Sequence, residues 1–594
     1  MGEKGSAGEE KLLAVARHIA RTLGRDDSSA ADDILQIFSN FDGRFSRDRL
    51  NPLDDSLHLL RRHISSDDPI WSSSSSAASF LHSLDHLISS LSSSSPTPDD
   101  GLVDLLHQAM FRLEDEFRSL MEIGTDSFEP CNNYDNNDGF DSEADSADGS
   151  EGDIPVAEPV TDFDVIIDAL PSGTIGDLHE MAKRMVGAGF GKECCHVYSS
   201  CRREFLDESM SRLGLHRFSI EEARTAPWNE LEEEIDRWTK AAAVSLRVLF
   251  PSERRLCDRI FHGLPSAADL SFMESCRGCT IQLLNFADSV AIGSRAPERL
   301  FKVLDVFEML RDLMPEFEIL FSDPYCILLR NEAIVIWKRL GEAIRGIFME
   351  LENLIRRDPA KAAVPGGGLH PITRYVMNYL RAACRSRQTL ELVFEDADDP
   401  RGSSSSSLSV QLIWIMELLE SNLEAKSKVY RDNVMSSMFM MNNEMYLVLK
   451  VKDDELGSLL GEDWIRKHTA KVKQYQNNFV RGSWSKALGA LKLDNVPNAD
   501  AKSLLIERVK TFNTAFDEAC ESQASFAIFD EQLKEEVRSS IAKLLLPAYE
   551  GFVGRLQSGH EIRKHHMANV RPPREITARI DGLYRRSSGS GSRT

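Results

Sequence analysis

The sequence lacks a long hydrophobic run and an excess of positive charge. No stretch of 18 consecutive apolar residues occurs, so we expect no transmembrane helix. The 594 residues include 70 Lys+Arg and 94 Asp+Glu, a formal net charge of −24. A chain this acidic is a poor general nucleic-acid binder, because phosphate contacts need a basic face. The ten cysteines are irregularly spaced, which predicts reduced cytosolic thiols rather than a disulfide framework.

The sequence also lacks the local motifs of the common enzyme classes: G-x-x-x-x-G-K-[ST], H-E-x-x-H and G-x-S-x-G are absent. The glycines 366–368 have no Lys-Ser or Lys-Thr after them, which favours a helix-to-helix turn over a phosphate cradle. Cys276 and Cys279 have no second pair or suitably spaced histidines, so buried thiols are favoured over structural zinc. We expect His370 and His468 to be capping or surface groups. The sequence therefore predicts no enzyme activity, no cofactor and no metal.

Charge is distributed unevenly along the chain. Residues 1–182 contain 12 Lys+Arg and 37 Asp+Glu, and 121–182 contain no Lys or Arg. The remainder is nearly neutral, but its last part, 551–594, holds nine Lys+Arg against three acids. This polarity bears on the choice of partners rather than on the fold.

Apolar spacing predicts helices almost throughout. In 298–313 the apolar residues recur every three or four positions, and 333–356 shows a narrow apolar seam of the same period. No alternating strand pair with an Asn-Gly or Asp-Gly turn is found. No fixed 34- or 40-residue period occurs, which argues against tetratricopeptide and HEAT repeats. The fold class is therefore predicted to be all-α.

Composition divides the chain into four predicted segments. An N-terminal helical region covers 1–120, and an acidic linker rich in Asp, Asn, Gly and Ser covers 121–162. We predict that this linker is disordered because it has too little apolar surface to offset chain entropy. A long helical domain follows at 163–586, and 587–594 forms a disordered tail.

Several blocks of sequence resemble a known family. The most specific block is RRDPAKAAVPGGGLHPITRYVMNY at 356–379. Shorter blocks lie at 271–280, 299–308, 463–468 and 529–534. These resemble the plant branch of the family of the seventy-kilodalton subunit of the exocyst, the vesicle-tethering complex. The opening, 10–20 and 33–46, is similar to the B-type subgroup in particular.

The resemblance implies an elongated rod of stacked antiparallel helix bundles and a peripheral role in exocytosis. It implies that the N-terminal region joins the other exocyst subunits. It also implies that the C-terminal end binds phosphoinositides at the plasma membrane, so that the protein is cytoplasmic and peripheral to the plasma membrane and to vesicles. The alternative is a helical adaptor without direct lipid binding.

The basic C-terminal end is the main candidate site. Its predicted lipid-binding residues are Arg563, Lys564, Arg571, Arg574, Arg579, Arg585 and Arg586. Pro573 is predicted to start a last helix with Ile576, Ile580 and Leu583 facing inward. Five or six cations at about 1 kcal/mol each give only weak membrane affinity. The competing interpretation is an ordinary solvated face followed by a frayed tail. Another basic stretch, at 466–473, is interpreted as a solvated helix face.

A second candidate site is the motif at 161–166. Phe163 and Ile166 form an aromatic-x-x-aliphatic pattern with acids before it. Such a pattern suits strand addition onto ubiquitin-like autophagosome proteins, since an extended segment can pair with an exposed sheet edge. The competing interpretation is that these apolar residues simply start the helical domain.

Overall fold

The computed structural model describes residues 52–93, 100–123, 170–215, 227–360, 362–395, 408–452, 455–492, 501–558 and 570–584. Within these ranges every regular element is helical and no strand occurs. The prediction of an all-α fold is confirmed. Most of the predicted acidic linker and the predicted tail lie outside the described residues. No helix in the described ranges is both long and apolar enough to cross a bilayer.

The α-helices of the described residues are numbered in chain order. The first ten are α1 (Pro52–Ser65), α2 (Ser74–Ser93), α3 (Asp100–Ile123), α4 (Ser172–Gly187), α5 (Gly191–Arg212), α6 (Trp228–Val244), α7 (Phe250–Ile260), α8 (Pro265–Ile292), α9 (Leu300–Asp312) and α10 (Met314–Leu320). The next are α11 (Ile327–Arg357), α12 (Pro371–Cys384), α13 (Arg387–Glu395), α14 (Leu408–Ser427), α15 (Asn433–Lys452), α16 (Glu455–Leu460) and α17 (Glu462–Ser483). The last are α18 (Ser485–Ala490), α19 (Ala501–Gln523), α20 (Glu531–Ser558) and α21 (Pro573–Asp581).

The helices form two compact units. The first unit is Met1–Leu213 with Val244–Thr280 and Leu320–Ile327. Its core holds a buried polar network, in which the fully buried carboxylate of Glu253 accepts from Tyr198 Oη at 2.7 Å and from Arg202 Nε at 2.8 Å. This carboxylate is satisfied by its own neighbours, as a buried charge requires.

The second unit is Gly214–Ala243 with Ile281–Ile319 and Leu328–Thr594. Both apolar patterns singled out in the sequence lie in its core. The face predicted for 298–313 is buried on α9. On α11, Leu340, Ile344, Ile347 and Leu351 are fully buried, whereas Trp337 and Leu354 at the margins of the seam are only half-buried.

Other parts of the protein occupy the space around the glycine-rich turn 366–368, which precedes α12. Gly366 has φ +64° and Gly367 has φ +67°, values that favour glycine. Asn442 Nδ2 donates to the carbonyls of Gly367 at 2.7 Å and Ala527 at 2.8 Å. The amide of Ala527 donates to the carbonyl of Gly366 at 2.9 Å. These bonds support the helix-to-helix turn, because the loop lies against α15 and the segment before α20.

Candidate functional site at the C-terminal end

Helix α21 begins and packs as its sequence predicts. Pro573 occupies the first turn, where its missing N–H leaves no helical hydrogen bond unmade. Ile576 and Ile580 are fully buried and Leu583 is buried as well, so the predicted inward face is confirmed. The buried face leaves the charged side chains of the helix near the surface.

Hydrogen bonds fix both ends of this helix to α19 and α20. Tyr549 Oη donates to the carbonyl of Arg571 at 2.9 Å, and Arg538 Nε donates to the carbonyl of Leu583 at 2.9 Å. Tyr584 Oη donates to Gln523 Oε1. The C-terminal end is therefore a docked element of the second unit as far as Tyr584.

Two of the predicted lipid-binding cations share one carboxylate on α19. Arg571 donates to both oxygens of Asp517, at 2.8 and 2.6 Å, and Arg579 also donates to Asp517. The hydrogen bonds from Arg571 are the largest cause that holds the pKa of Asp517 below its usual value. Both guanidinium groups also lie over the ring of Phe516, at 6.0 Å and 5.7 Å from its centre.

The third described cation, Arg574, is exposed to solvent and has no ion pair among the described residues. Acidic residues lie close to it in the sequence. Glu575 is exposed, with its Oε1 at 3.8 Å from Arg571 Nε, and Asp581 ends the helix. The described part of the predicted patch is therefore close to neutral in charge. Its positive excess depends on Arg563, Lys564, Arg585 and Arg586, which lie outside the described residues.

The other basic stretch of the sequence, 466–473, lies on α17. Arg466 pairs with Asp463 on the exposed face of the helix, and Lys467 and Lys473 are exposed. Lys471 is half-buried and pairs with Glu420 on α14. The structure thus places most of this stretch on a solvated helix face.

The two histidines singled out in the sequence have different environments. His370 caps α12, where its Nδ1 accepts from the amide of Ile372 at 3.2 Å, as expected. The expectation for His468 is wrong, because His468 is 3% exposed and bonds to the buried Glu444. Its spacing from Trp464 and Val472 on the buried face of α17 was a signal of burial that the sequence already carried. Phe163 and Ile166, the residues of the second candidate motif, lie outside the described residues.

Residues 236–574 match the family model for the C-terminal part of Exo70, a component of the exocyst complex. The chain belongs to the Exo70 family. It is 59% identical to exocyst complex component EXO70B1 of Arabidopsis thaliana, over 97% of this chain and 98% of that protein. It is 52% identical to Arabidopsis EXO70B2, over 94% of this chain and 95% of that protein. The resemblance to the B-type subgroup is confirmed.

A solved structure has the same fold. The crystal structure of Saccharomyces cerevisiae Exo70p matches with a TM-score of 0.57 at 13% identity, over 90% of this chain and 99% of the yeast chain. At that identity the match shows the fold alone. The four segment boundaries expected from composition stay predictions, and so do the roles of the individual basic residues.

Asp517 is the residue of this site that sequence reasoning missed. It lies 54 positions before Arg571, and no local spacing connects the two. Because Asp517 pairs with Arg571 and Arg579, these two arginines are not free cations. A count of charges along the sequence does not show this pairing.

Proposed function

We propose that this Exo70 chain is a non-enzymatic subunit of the exocyst that acts in exocytosis, and that its basic C-terminal end links the complex to phosphoinositides at the plasma membrane. The near full-length similarity to proteins named exocyst complex components supports the assembly with other exocyst subunits and the vesicle-tethering role. The excess of nine basic over three acidic residues in 551–594 supports the membrane contact.

The ion pairs at the C-terminal end indicate which cations are available to bind the membrane. Arg571 and Arg579 share the charge of Asp517, so together they contribute about one free positive charge. Arg574 is exposed and free to meet a headgroup. Arg563 and Lys564 precede α21 in the sequence, and Arg585 and Arg586 follow it. We assign the main attraction to these residues and to Arg574.

This attraction is modest by itself. Five cations at about 1 kcal/mol each give on the order of 5 kcal/mol, a dissociation constant of roughly 0.2 mM. Binding of this strength becomes effective when the protein is part of a larger assembly, because the other contacts raise the local concentration of the membrane. The lipid contact is therefore one of several contacts that hold the complex at the membrane.

Liposome flotation of the full chain tests the proposal, with and without phosphatidylinositol 4,5-bisphosphate. Reversal of Arg563, Lys564, Arg585 and Arg586 to Glu is expected to abolish phosphoinositide-dependent flotation. The matched control reverses Arg466, Lys467 and Lys473, which lie on the exposed face of α17, and we expect flotation to persist. Equal flotation of wild type and the first variant would place the membrane contact elsewhere.

Reconstitution with the other exocyst subunits separates the two parts of the proposal. We expect the charge-reversed variant to assemble as well as the wild type does, because the reversed residues lie at the C-terminal end, whereas the family resemblance assigns assembly to the N-terminal region. Assembly without any phosphoinositide-dependent flotation by the wild type would favour the alternative function, a helical adaptor without direct lipid binding.

A second candidate function is a role in autophagy-related traffic. It is supported by the acidic aromatic-x-x-aliphatic pattern of Phe163 and Ile166. A peptide covering 155–170 is expected to bind ubiquitin-like autophagosome proteins, and a peptide with both residues changed to Ala is expected not to bind. Equal signals from the two peptides would remove the hypothesis.

A further inference from the structure

Three buried ligand-type side chains converge inside the second unit. Glu420 comes from α14, Glu444 from α15 and His468 from α17, and one oxygen or nitrogen atom of each lies within 4.8 Å of the others. Their exposed fractions are 8%, 0% and 3%. They are spaced by 24 residues each along the chain, so no local metal motif in the sequence connects them.

One carboxylate oxygen of this cluster has no hydrogen-bond donor. Glu444 Oε2 lies 3.0 Å from His468 Nδ1, but Glu444 Oε1 is buried and has no partner among the described residues. Burying an acceptor without a donor costs free energy, so such an oxygen calls for a proton or a cation beside it.

A cation already occupies one side of the cluster. The ammonium group of Lys471 bonds to Glu420, and the Lys471 side chain is 27% exposed. Because a lysine has a long flexible stem, its ammonium group can leave the carboxylate and remain in water. The Lys471–Glu420 pair therefore shows that this side of the cluster accommodates a positive charge. The partial exposure of Lys471 lets that charge move out to solvent.

The ring of His468 is held in a fixed orientation. Trp464, one turn earlier on α17, stacks on it with ring centres 3.9 Å apart and planes 20° apart. A fixed imidazole loses little rotational freedom when it binds a ligand, which favours metal coordination.

We propose that Glu420, Glu444 and His468 form a binding site for a divalent transition metal ion, with Zn²⁺ the best fit. One imidazole nitrogen and two carboxylate oxygens are ligands that Zn²⁺ accepts, and three protein ligands leave a fourth position for water. Ca²⁺ and Mg²⁺ fit poorly because they prefer six or more oxygen ligands, whereas this buried cluster offers an imidazole nitrogen and little room for waters. Ligand atoms around one Zn²⁺ lie about 3.3 Å apart, so the three side chains must draw together by at most about 1.5 Å.

Binding exchanges charge without leaving an excess in the core. The metal replaces the ammonium of Lys471 at Glu420, and that ammonium group moves to solvent. The carboxylates of Glu420 and Glu444 then balance the two positive charges of the metal. A bound metal links α14, α15 and α17, and its expected effect is to stabilise the second unit.

Isothermal titration of the full chain with Zn²⁺ alone, after treatment with a chelator, tests the site. We expect one ion per chain. Glu444→Gln keeps the size of the side chain but removes one anionic ligand, so affinity should fall roughly 100-fold. The control His58→Asn removes an exposed histidine of the first unit and should leave affinity unchanged. Equal affinity of wild type and Glu444→Gln would overturn the proposal and indicate adventitious surface binding.

A second variant keeps the test independent of the folding of Glu444→Gln. Lys471→Met retains all three ligands and removes the competing ammonium group. We expect Zn²⁺ to bind this variant on the order of tenfold more tightly, which is about 1.4 kcal/mol. Unchanged or weaker binding by Lys471→Met would show that Lys471 and the metal do not compete for Glu420, and would contradict the proposal.

Discussion

The guanidinium group of Arg571 makes two hydrogen bonds to the carboxylate of Asp517, at 2.8 and 2.6 Å. This two-point geometry is the strongest form of an arginine–carboxylate pair. It connects the segment before α21 to α19, and Arg579 adds a further bond from the other end of the same helix. Arg571 and Arg579 thus hold α21 in place, a role that differs from that of the exposed Arg574.

Arg571→Gln is expected to destabilise the protein. The change removes both bonds to a half-buried carboxylate, with an expected loss of about 1 kcal/mol after allowance for solvent screening. Urea unfolding measures this free energy.

Arg574→Gln is the matched control for that change, because it removes an exposed arginine only three positions away. We expect its unfolding free energy to match that of the wild type and its flotation with phosphoinositide liposomes to decrease. If the two variants lose stability equally, the pairing with Asp517 does not hold α21.

Asp517→Asn is expected to strengthen binding to anionic liposomes. The substitution leaves both arginines in place but removes the negative charge that they share, so the surface gains one net positive charge. At about 1 kcal/mol per charge, the affinity should rise roughly fivefold at moderate ionic strength. The gain should disappear at high salt, because salt screens exposed charges. Unchanged flotation at low salt would mean that this end of the protein does not face the membrane.

The stability supplied by Asp517 should depend on pH in one direction. Its pKa in the folded protein is lowered by Arg571, so the contribution is fully present above the unfolded value of about 4. It is lost as the pH falls from that value through the lower folded pKa. The difference in unfolding free energy between wild type and Asp517→Asn should stay constant from neutral pH to about pH 4 and shrink below it. A difference that already shrinks near pH 6 would contradict a lowered pKa.

The sequence predicts those features that depend on neighbours along the chain. Pro573 and the spacing of Ile576 and Ile580 were enough to predict α21 and its buried face. The pairing of Asp517 with Arg571 was not predictable, because it depends on how α19 lies against the segment before α21. For His468 the sequence predicts one feature and not the other. Its position on the apolar stripe of α17 follows from the spacing, but its hydrogen bond to Glu444 does not.

The turn between α11 and α12 provides a test of the fold itself. Gly366→Ala is expected to destabilise the second unit by about 2–3 kcal/mol, because it forces a side chain into a left-handed conformation in a crowded place. A Cβ atom at Gly366 would lie 2.7 Å from the carbonyl oxygen of Ser525, which is backbone and cannot rotate away. Thermal or urea unfolding of the full chain gives the measurement.

Gly489→Ala is the control for that substitution. Gly489 lies within α18 in the same unit, and a Cβ atom there meets nothing within 4 Å. Alanine restricts the unfolded chain more than glycine does, so this variant should be unchanged or more stable by about 0.5–1 kcal/mol. A loss of stability at Gly489 equal to that at Gly366 would show that the cost comes from a general intolerance of substitution. A loss confined to Gly366 would show that the cost comes from the left-handed backbone of Gly366 and its close contact with the segment before α20.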